Sequence, residues 1–253
     1  MKQKIALITG ATAGIGKETA KLLSEKHFDL IITGRRQELL EKFKKELEHE
    51  SCRVHTLCFD VRSGVEVDQA LSSLSDDWRK VDILINNAGL AAGLDPVFRA
   101  DVHDWEAMID TNIKGLLYMT RKVSPWMIAQ KQGHIINISS IAGIEAYPNG
   151  SVYCGTKHAV NAITKAMRIE LAPHQIKVGT ISPGAIETEF SLVRFKGDEE
   201  KAAKVYEGFS PLNARDIAES IYFVLTRPAH VNIDDLLIMP TAQASARDIF
   251  RES

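Results

Sequence analysis

Two patterns of apolar residues alternate along the chain. In one, a short run is almost wholly apolar, as in residues 4–9, which is typical of a buried β-strand. In the other, apolar residues recur every three or four positions, as in residues 16–26, which is typical of a helix with one buried face. The first pattern predicts strands at residues 4–9, 29–33, 54–59, 81–85, 134–138, 176–181 and 233–239. The second predicts helices at residues 16–26, 37–49, 65–74, 105–130, 151–171 and 214–225.

The alternation of strands and helices predicts the fold class. Parallel strands joined by helical crossovers produce this order, and the crossovers are right-handed. We expect an α/β protein in which residues 1–253 form a single Rossmann-like, doubly wound domain. Its centre is a seven-stranded parallel sheet with helices on both faces. Ser63 and Asn213 are expected to cap helices, and Pro125 is expected to bend or break the long helix 105–130.

The least regular segment follows the sixth predicted strand. Residues 183–210 carry a charged stretch at 196–201 and no strong periodicity. Such a segment is either a lid over a substrate site or an ordinary surface loop. The tail after residue 241 continues past the last strand, and we expect it to contact a neighbouring subunit.

Composition narrows the classes of function. The 253 residues contain 31 Lys and Arg and 33 Asp and Glu, so the chain lacks the basic surplus of a nucleic-acid-binding protein. No apolar run reaches the roughly 18 residues that span a bilayer. Three cysteines and eight histidines are scattered without metal-ligand spacing, so we expect free thiols, no metal and a cytoplasmic location.

A glycine-rich turn follows the first strand. Gly10, Gly14 and Gly16 allow a tight turn, and with Thr12 and Ile15 they lead into a helix whose N-terminus favours a phosphate. The spacing GxxxGxG differs from GxGxxG, and glycine spacing alone is weak evidence. Its position after a buried strand favours a dinucleotide site over a structural turn.

Two arginines follow the second strand. An NAD site usually has Asp or Glu near this point, whereas this chain has Gly34, Arg35 and Arg36. Guanidinium groups suit a 2′-phosphate, so the pair predicts NADP. The alternative is that both arginines are solvated side chains at the start of a helix.

A tyrosine and a lysine lie four residues apart at the start of the helix 151–171. Tyr153 and Lys157 therefore share a helix face, where an ammonium group would lower the pKa of the phenol. Ser140, at the end of the fifth strand, is placed to bind a carbonyl oxygen, with Ser139 as its rival. This set predicts acid–base chemistry on an alcohol or a carbonyl.

Six motifs in order resemble one family. TGATAGIG, NNAG, Asn112 with Gly115, NISSIAG, YCGTK and SPG are similar to the motifs of short-chain dehydrogenases/reductases, over essentially the whole chain. The resemblance implies that Tyr153 is the general acid/base, Lys157 lowers its pKa and holds the nicotinamide ribose, and Ser140 orients the reacting oxygen. Asn112 would hold a water that relays protons to Lys157.

The same resemblance implies a set of cofactor contacts. The glycine loop would bind the pyrophosphate, and Tyr153 and Lys157 would contact the cofactor beside the reacting centre. The other implied contacts are Asp60 and Val61 near the adenine, Asn87, Ala88 and Gly89 near its ribose, and Pro183, Gly184, Ile186 and Thr188 at the nicotinamide end.

The C-terminal third narrows the resemblance to a subgroup. Residues 188–198, 228–233 and 239–243 resemble NADP-dependent dehydrogenases of 3-hydroxy acids such as serine, allo-threonine and 3-hydroxyisobutyrate. Arg194 would bind the substrate carboxylate beside Ser140 and Tyr153, unless Arg194 and Lys196 are only solvated charges. The family implies a homotetramer or homodimer. Reduction of another carbonyl, such as a 3-oxoacyl thioester or a diketone, and a non-catalytic NADP sensor stay open as alternatives.

Overall fold

Seven parallel strands form one twisted sheet through the middle of the molecule. The computed structural model describes residues 3–252. The strands are β1 (Ile5–Ile8), β2 (Asp29–Gly34), β3 (Val54–Cys58), β4 (Val81–Asn86), β5 (Gly133–Ile138), β6 (Ile176–Pro183) and β7 (Asp235–Ile238). They lie in the order β3-β2-β1-β4-β5-β6-β7, and every pairing is parallel. The predicted fold class is confirmed. The strand order reverses between β1 and β4, so a crevice opens there at the carboxyl ends of the strands.

Helices cover both faces of this sheet. They are α1 (Gly14–Glu25), α2 (Gln37–Leu47), α3 (Gly64–Ser72), α4 (Val102–Ile109), α5 (Leu116–Gln130), α6 (Ser151–Leu171), α7 (Phe190–Arg194), α8 (Glu199–Lys204) and α9 (Ala214–Leu225). Leu7 and Leu84 pack with α3, α5 and α6 on one face, whereas Ile8 and Ile32 pack with α1, α2 and α9 on the other. No helix in the described part of the chain is both long and apolar enough to cross a membrane.

The predicted long helix differs most from expectation. It begins at α4, where the Asp101 side chain accepts a hydrogen bond from the backbone N–H of His103. A π-helical turn, Asp110–Gly115, separates α4 from α5. The helix is continuous through Pro125, so of the expected bend or break the break is wrong, and the bend stays a prediction. Val123 and Met127 are fully buried on either side, and this packing holds the helix although proline removes one backbone hydrogen bond.

The other expectations for the helices hold well. The Ser63 side chain caps α3 and the Asn213 side chain caps α9, as predicted. The irregular segment 183–210 contains two short helices, α7 and α8. The Asp198 side chain caps α8 by accepting a hydrogen bond from the backbone N–H of Lys201.

The C-terminal tail folds back onto its own chain. The Glu145 carboxylate accepts a hydrogen bond from the backbone N–H of Ala246 at 2.8 Å. Arg251 donates to the carbonyl of Val205 at 3.0 Å, and the N–H of Glu252 donates to the carbonyl of Gly208 at 2.7 Å. The tail therefore joins the loop after β5 to the segment after α8. These bonds lie within one chain, and the expected contact of the tail with a neighbouring subunit stays a prediction.

His134 makes the stability of the fold depend on pH. Its ring is buried in β5 and its Nε2 has no partner. Burial, with the nearby charges of Lys177 and Lys4, lowers the pKa of His134 to about 3. Because the unfolded chain binds this proton near pH 6.5, the stabilisation is present above pH 6.5 and is lost as the pH falls towards 3.

We expect the His134→Val variant to lose less stability in acid than the unchanged protein. The imidazole should cost the unchanged protein about 2 kcal/mol of unfolding free energy between pH 7 and pH 5. Urea unfolding at both pH values measures this difference. Equal losses in the two proteins would contradict the assignment.

Candidate active site and nucleotide crevice

The loop between β1 and α1 lines the crevice at the carboxyl end of the sheet. Gly10 has a φ of +65°, and a β-carbon there would lie 3.0 Å from the Cα of Ala88. A β-carbon at Gly16 would lie 2.4 Å from the Nδ2 of Asn87. Both positions therefore require glycine. The backbone here can closely approach a ligand's pyrophosphate.

The N-terminus of α1 faces this loop. Ala13 precedes the helix and has no polar side chain to accept from the first N–H groups, and no acidic residue lies in the first turn. Free N–H groups and the helix dipole favour a phosphate group at this point. Thr188 lies close by, because a β-carbon at Gly14 would lie 3.5 Å from the Cβ of Thr188. The structure thus brings the start of segment 183–210 to the phosphate loop.

Charged side chains gather at the ends of β2 and β3. Arg35 and Arg36 are exposed, and Arg36 donates to the Oγ1 of Thr12 at 3.2 Å. Asp60 pairs with Arg62 at 2.6 Å and lies 3.9 Å from Arg35. Burial acts to raise the pKa of Asp60, but the hydrogen bonds and charge of Arg62 lower it overall. The cluster keeps Asp60 ionised and presents cations to the crevice.

The residues beside Asp60 and Asn87 complete the adenine side of the crevice. Val61 is buried against the π-helical turn, where a β-carbon at Gly115 would lie 2.9 Å from its Cγ2. The backbone N–H groups of Asn87 and Ala88 both donate to the Oγ1 of Thr9, at 3.0 and 2.9 Å. This end of β4 is therefore fixed against the end of β1.

Tyr153 stands at the start of α6, beside the end of β5. Ser140 lies close enough to act on the pKa of its hydroxyl, and the Lys157 Nζ lies 5.9 Å from the centre of its ring. Ser139, the rival of Ser140, instead donates to the backbone carbonyl of Lys157 at 3.4 Å. The structure therefore brings Ser140, Tyr153 and Lys157 together at one point of the crevice.

Burial is the largest influence on the pKa values of Tyr153 and Lys157. It raises the pKa of Tyr153, and the neighbouring Tyr147 acts in the same direction. The bond with Ser140 and the charge of Arg194 act to lower that pKa. Burial also lowers the pKa of Lys157 to about 8, and the Nζ donates to the carbonyl of Ile138 at 2.9 Å. Arg194 therefore contributes to the electrostatics of Tyr153, which the sequence did not suggest.

Asn112 lies in the π-helical turn next to this group. Its Oδ1 accepts from the N–H of Leu90, and its Nδ2 donates to the carbonyl of Leu90 and to Thr156, all at 2.9–3.1 Å. A β-carbon at Gly89 would lie 3.3 Å from the Asn112 Oδ1 and 3.5 Å from the Lys157 Nζ. Asn112 and Lys157 therefore flank the same small space.

The turn after β6 is held from two sides. The N–H of Ala185 donates to the Oε1 of Gln243 at 2.7 Å, and the hydroxyl of Tyr206 donates to the carbonyl of Ile186 at 2.8 Å. A β-carbon at Gly184 would lie 2.5 Å from the same Oε1. Pro183 is buried at the end of the strand. This turn is where the sequence predicts contact with the nicotinamide end of a cofactor.

Arg194 reaches from α7 to Tyr153. Its guanidinium lies 5.6 Å from the centre of the Tyr153 ring and 5.6 Å from that of Tyr147. Lys196 points elsewhere, because its Nζ pairs with Asp104 at 3.0 Å and with Asp101 at 3.7 Å. Of the two cations in segment 183–210 that the sequence offered for a substrate, only Arg194 faces Tyr153.

Four side chains of the crevice were missed from the sequence: Arg62, Tyr147, Tyr206 and Gln243. Arg62 stands two residues after Asp60, so a search for cations near the end of β3 would have found it. The other three form hydrogen bonds with residues 20 to 58 positions away in the chain, and no local sequence spacing predicts such contacts. Within residues 3–252, no three His, Cys, Asp or Glu side chains gather closely enough to hold a metal ion.

Comparisons with known proteins identify the family of this chain. The family model described as short chain dehydrogenase matches residues 4–198. The chain is 47% identical over 243 residues to the NADP-dependent 3-hydroxy acid dehydrogenase YdfG of Salmonella typhimurium, covering 96% of this chain and 97% of that protein. It is 43% identical over 251 residues to the NADP-dependent 3-hydroxy acid dehydrogenase of Schizosaccharomyces pombe, covering 98% and 97%.

Solved structures give the same result. The closed form of serine dehydrogenase complexed with NADP+ is 44% identical, with a TM-score of 0.92, covering 98% of this chain and 100% of that one. Serine dehydrogenase from Escherichia coli is 40% identical, with a TM-score of 0.82, covering 95% and 99%. Both the family model and the relatives extend over most of the chain, and the chain belongs to the short-chain dehydrogenase family.

Proposed function

We propose that this dehydrogenase transfers a hydride between NADP(H) and a small 3-hydroxy acid or the corresponding 3-oxo acid. One observation carries the proposal: the Arg194 cation lies 5.6 Å from the centre of the Tyr153 ring, and Ser140 is close enough to act on the pKa of the same tyrosine. An acid–base group and a carboxylate partner therefore stand within one small space. The names of the relatives above support the same reaction.

The crevice suits NADP(H). The glycine loop, with Thr12 and Ile15, would hold the pyrophosphate, and Arg35 and Arg36 would bind the 2′-phosphate. Asp60, Val61, Asn87, Ala88 and Gly89 would line the adenosine half, and Pro183, Gly184, Ile186 and Thr188 the nicotinamide half. When bound, the cofactor supplies or accepts the hydride.

The side chains of α6 and β5 would handle the proton. In oxidation, Tyr153 accepts the proton of the substrate hydroxyl as the hydride leaves the same carbon. In reduction, Tyr153 donates a proton to the carbonyl oxygen. Ser140 donates a hydrogen bond that fixes this oxygen in place, which positions the reacting atoms.

Lys157 and Asn112 would connect Tyr153 to solvent protons. The pKa of Lys157 is near 8, so its ammonium group can give and regain a proton near neutral pH. Because the Asn112 side chain is engaged with Leu90 and Thr156, a relay water would bond to its backbone carbonyl. This differs from a relay through the side-chain amide.

Arg194 would bind the substrate carboxylate. Its planar guanidinium matches a carboxylate, and it lies on the proposed lid, residues 183–210, with its Cζ 5.6 Å from the centre of the Tyr153 ring. Phe190 lies 5.8 Å from Tyr153, ring centre to ring centre, and closes the apolar side. A 3-hydroxy acid places its carboxylate two carbons from the hydroxyl-bearing carbon, which suits this short separation.

We also propose a cytoplasmic homotetramer, with a homodimer as the alternative. Leu117 and Ile169 are exposed on α5 and α6, and Phe223 and Leu237 are exposed on α9 and β7. These two apolar surfaces would serve two different two-fold contacts, as a tetramer requires. Light scattering that gives the mass of a single chain would exclude both assemblies.

The test is turnover with NADP and a panel of serine, allo-threonine and 3-hydroxyisobutyrate, followed by the absorbance of reduced cofactor. We expect turnover of at least one acid. If none of the three acids is turned over but a 3-oxoacyl thioester or a diketone is reduced with NADPH, the proposed substrate class is wrong and the reduced carbonyl takes its place. Cofactor binding without any turnover would favour an NADP sensor.

A further inference from the structure

Tyr147 fills a space that glycine leaves open beside the catalytic group. A β-carbon at Gly150 would lie 2.1 Å from the Cε2 of Tyr147, so any other residue at 150 would displace the ring. The ring is half-buried and packs with Tyr153 and Cys154 in one apolar cluster. The position of Tyr147 is therefore fixed before any substrate binds.

The hydroxyl of Tyr147 contacts Arg194. The Nη2 of Arg194 donates to this hydroxyl at 3.1 Å, and the Nε donates to the carbonyl of Gly93 at 3.3 Å. These two bonds orient the plane of the guanidinium between the rings of Tyr147 and Tyr153. A guanidinium has five N–H donors, so donors remain for a bidentate carboxylate.

We propose that Tyr147 is a specificity-determining positioning residue, which holds the Arg194 guanidinium in place to receive the carboxylate of the substrate. This rests on the proposed function, in which Arg194 binds that carboxylate. An arginine side chain has many rotamers, so fixing one of them costs conformational entropy. When Tyr147 orders the side chain in advance, substrate binding no longer carries that entropic cost. Loss of the hydroxyl therefore weakens recognition of the carboxylate and leaves the acid–base group intact.

A purely structural role would give a different result. The N–H of Gly93 also donates to the carbonyl of Arg194 at 3.0 Å, so the end of α7 is held to the loop after β4. If Tyr147 only kept the lid closed, its loss would affect every substrate equally. A carboxylate substrate and its uncharged ester separate the two roles.

The experiment compares Tyr147→Phe with the unchanged enzyme on the best acid of the panel and on the methyl ester of that acid. Phenylalanine keeps the ring against Gly150 and removes only the hydroxyl. We expect kcat/KM for the acid to fall about tenfold, mainly through KM, and kcat/KM for the ester to stay within about twofold. Equal losses on both substrates, or no loss on either, would overturn the proposal.

Two further variants make the result specific. Tyr206→Phe removes another lid hydroxyl, one that bonds with Ser191 and Ile186 rather than Arg194, and should change acid and ester by the same factor. Arg194→Gln should lower the ratio of kcat/KM for the acid to kcat/KM for the ester by a larger factor than Tyr147→Phe does. If Arg194→Gln lowers the acid-to-ester ratio and Tyr147→Phe does not, Arg194 binds the carboxylate but Tyr147 does not position it. If Arg194→Gln shows no discrimination, the carboxylate site itself is wrong and the proposal falls with it.

Discussion

Replacing Tyr153 by phenylalanine is expected to lower kcat by about 10²- to 10⁴-fold, the usual contribution of a positioned general acid or base. The ring still packs beside Phe190, so the site keeps its shape. Only the proton donor and its bond with Ser140 disappear. Steady-state rates with saturating NADP and the best acid of the panel measure the loss, and cofactor fluorescence titration measures binding separately.

The matched control is Tyr118→Phe. Tyr118 lies on α5 and packs against α3, where a β-carbon at Gly64 would lie 3.4 Å from its ring. That variant should keep kcat within about twofold. A Tyr153→Phe enzyme that keeps a tenth or more of its rate would remove Tyr153 from the role of acid/base.

Replacing both Arg35 and Arg36 by alanine is expected to lower kcat/KM for NADP by about 100-fold or more, because two charge-assisted contacts of roughly 1.5–3 kcal/mol each are lost. The value for NAD should stay within about threefold, since NAD lacks the 2′-phosphate. Arg36 is already oriented by Thr12 at the phosphate loop, and Arg35 is near Asp60. Kinetics with both cofactors measure the ratio.

A second pair of cations, on the helix that follows the two arginines, controls for general electrostatic attraction. Lys42 and Lys45 are exposed on α2, and the double change to alanine removes the same charge without touching the crevice. This variant should retain its preference for NADP. Equal losses with NADP and NAD in the arginine variant would mean that the arginines do not bind the 2′-phosphate.

The central strands of the sheet were predictable because they are buried on both faces. Strands such as β4 and β5 are uniformly buried, so their sequences are short, largely apolar runs with clear ends. The predicted and observed bounds agree within about two residues. The same reason explains the site: carboxyl ends of neighbouring parallel strands meet at one edge, so motifs after β1, β4, β5 and β6 had to converge.

The errors lie where distant contacts decide the local structure. Nothing in the residues around Pro125 shows that the buried neighbours Val123 and Met127 would hold the helix. The contacts of the tail within its own chain could not be predicted for the same reason, since Glu145 and Ala246 are bonded across 101 residues of chain. Periodicity and spacing report on neighbours along the chain, and such pairs are decided by the assembled fold.

The partners of Arg194 and Lys196 are also set by contacts between distant parts of the chain. The sequence placed Arg194 in a predicted lid and favoured it over Lys196 only because a planar guanidinium matches a carboxylate. Only the assembled fold shows that Asp101 and Asp104 pair with Lys196. The choice between two neighbouring cations therefore depends on which carboxylates the fold puts beside each of them.

The π-helical turn Asp110–Gly115 has a consequence for the phase of the helices that it joins. In an uninterrupted α-helix, Met108 and Met119 would point in directions only about 20° apart. Instead, Met108 packs with Tyr153 and Cys154, and Met119 packs in the core against the sheet. Deleting one residue from the turn would bring the two helices into a single phase and rotate α4 by about 100°. Asp104 would then move away from Lys196, so the register of one helical turn determines whether segment 183–210 keeps its ion pair with α4.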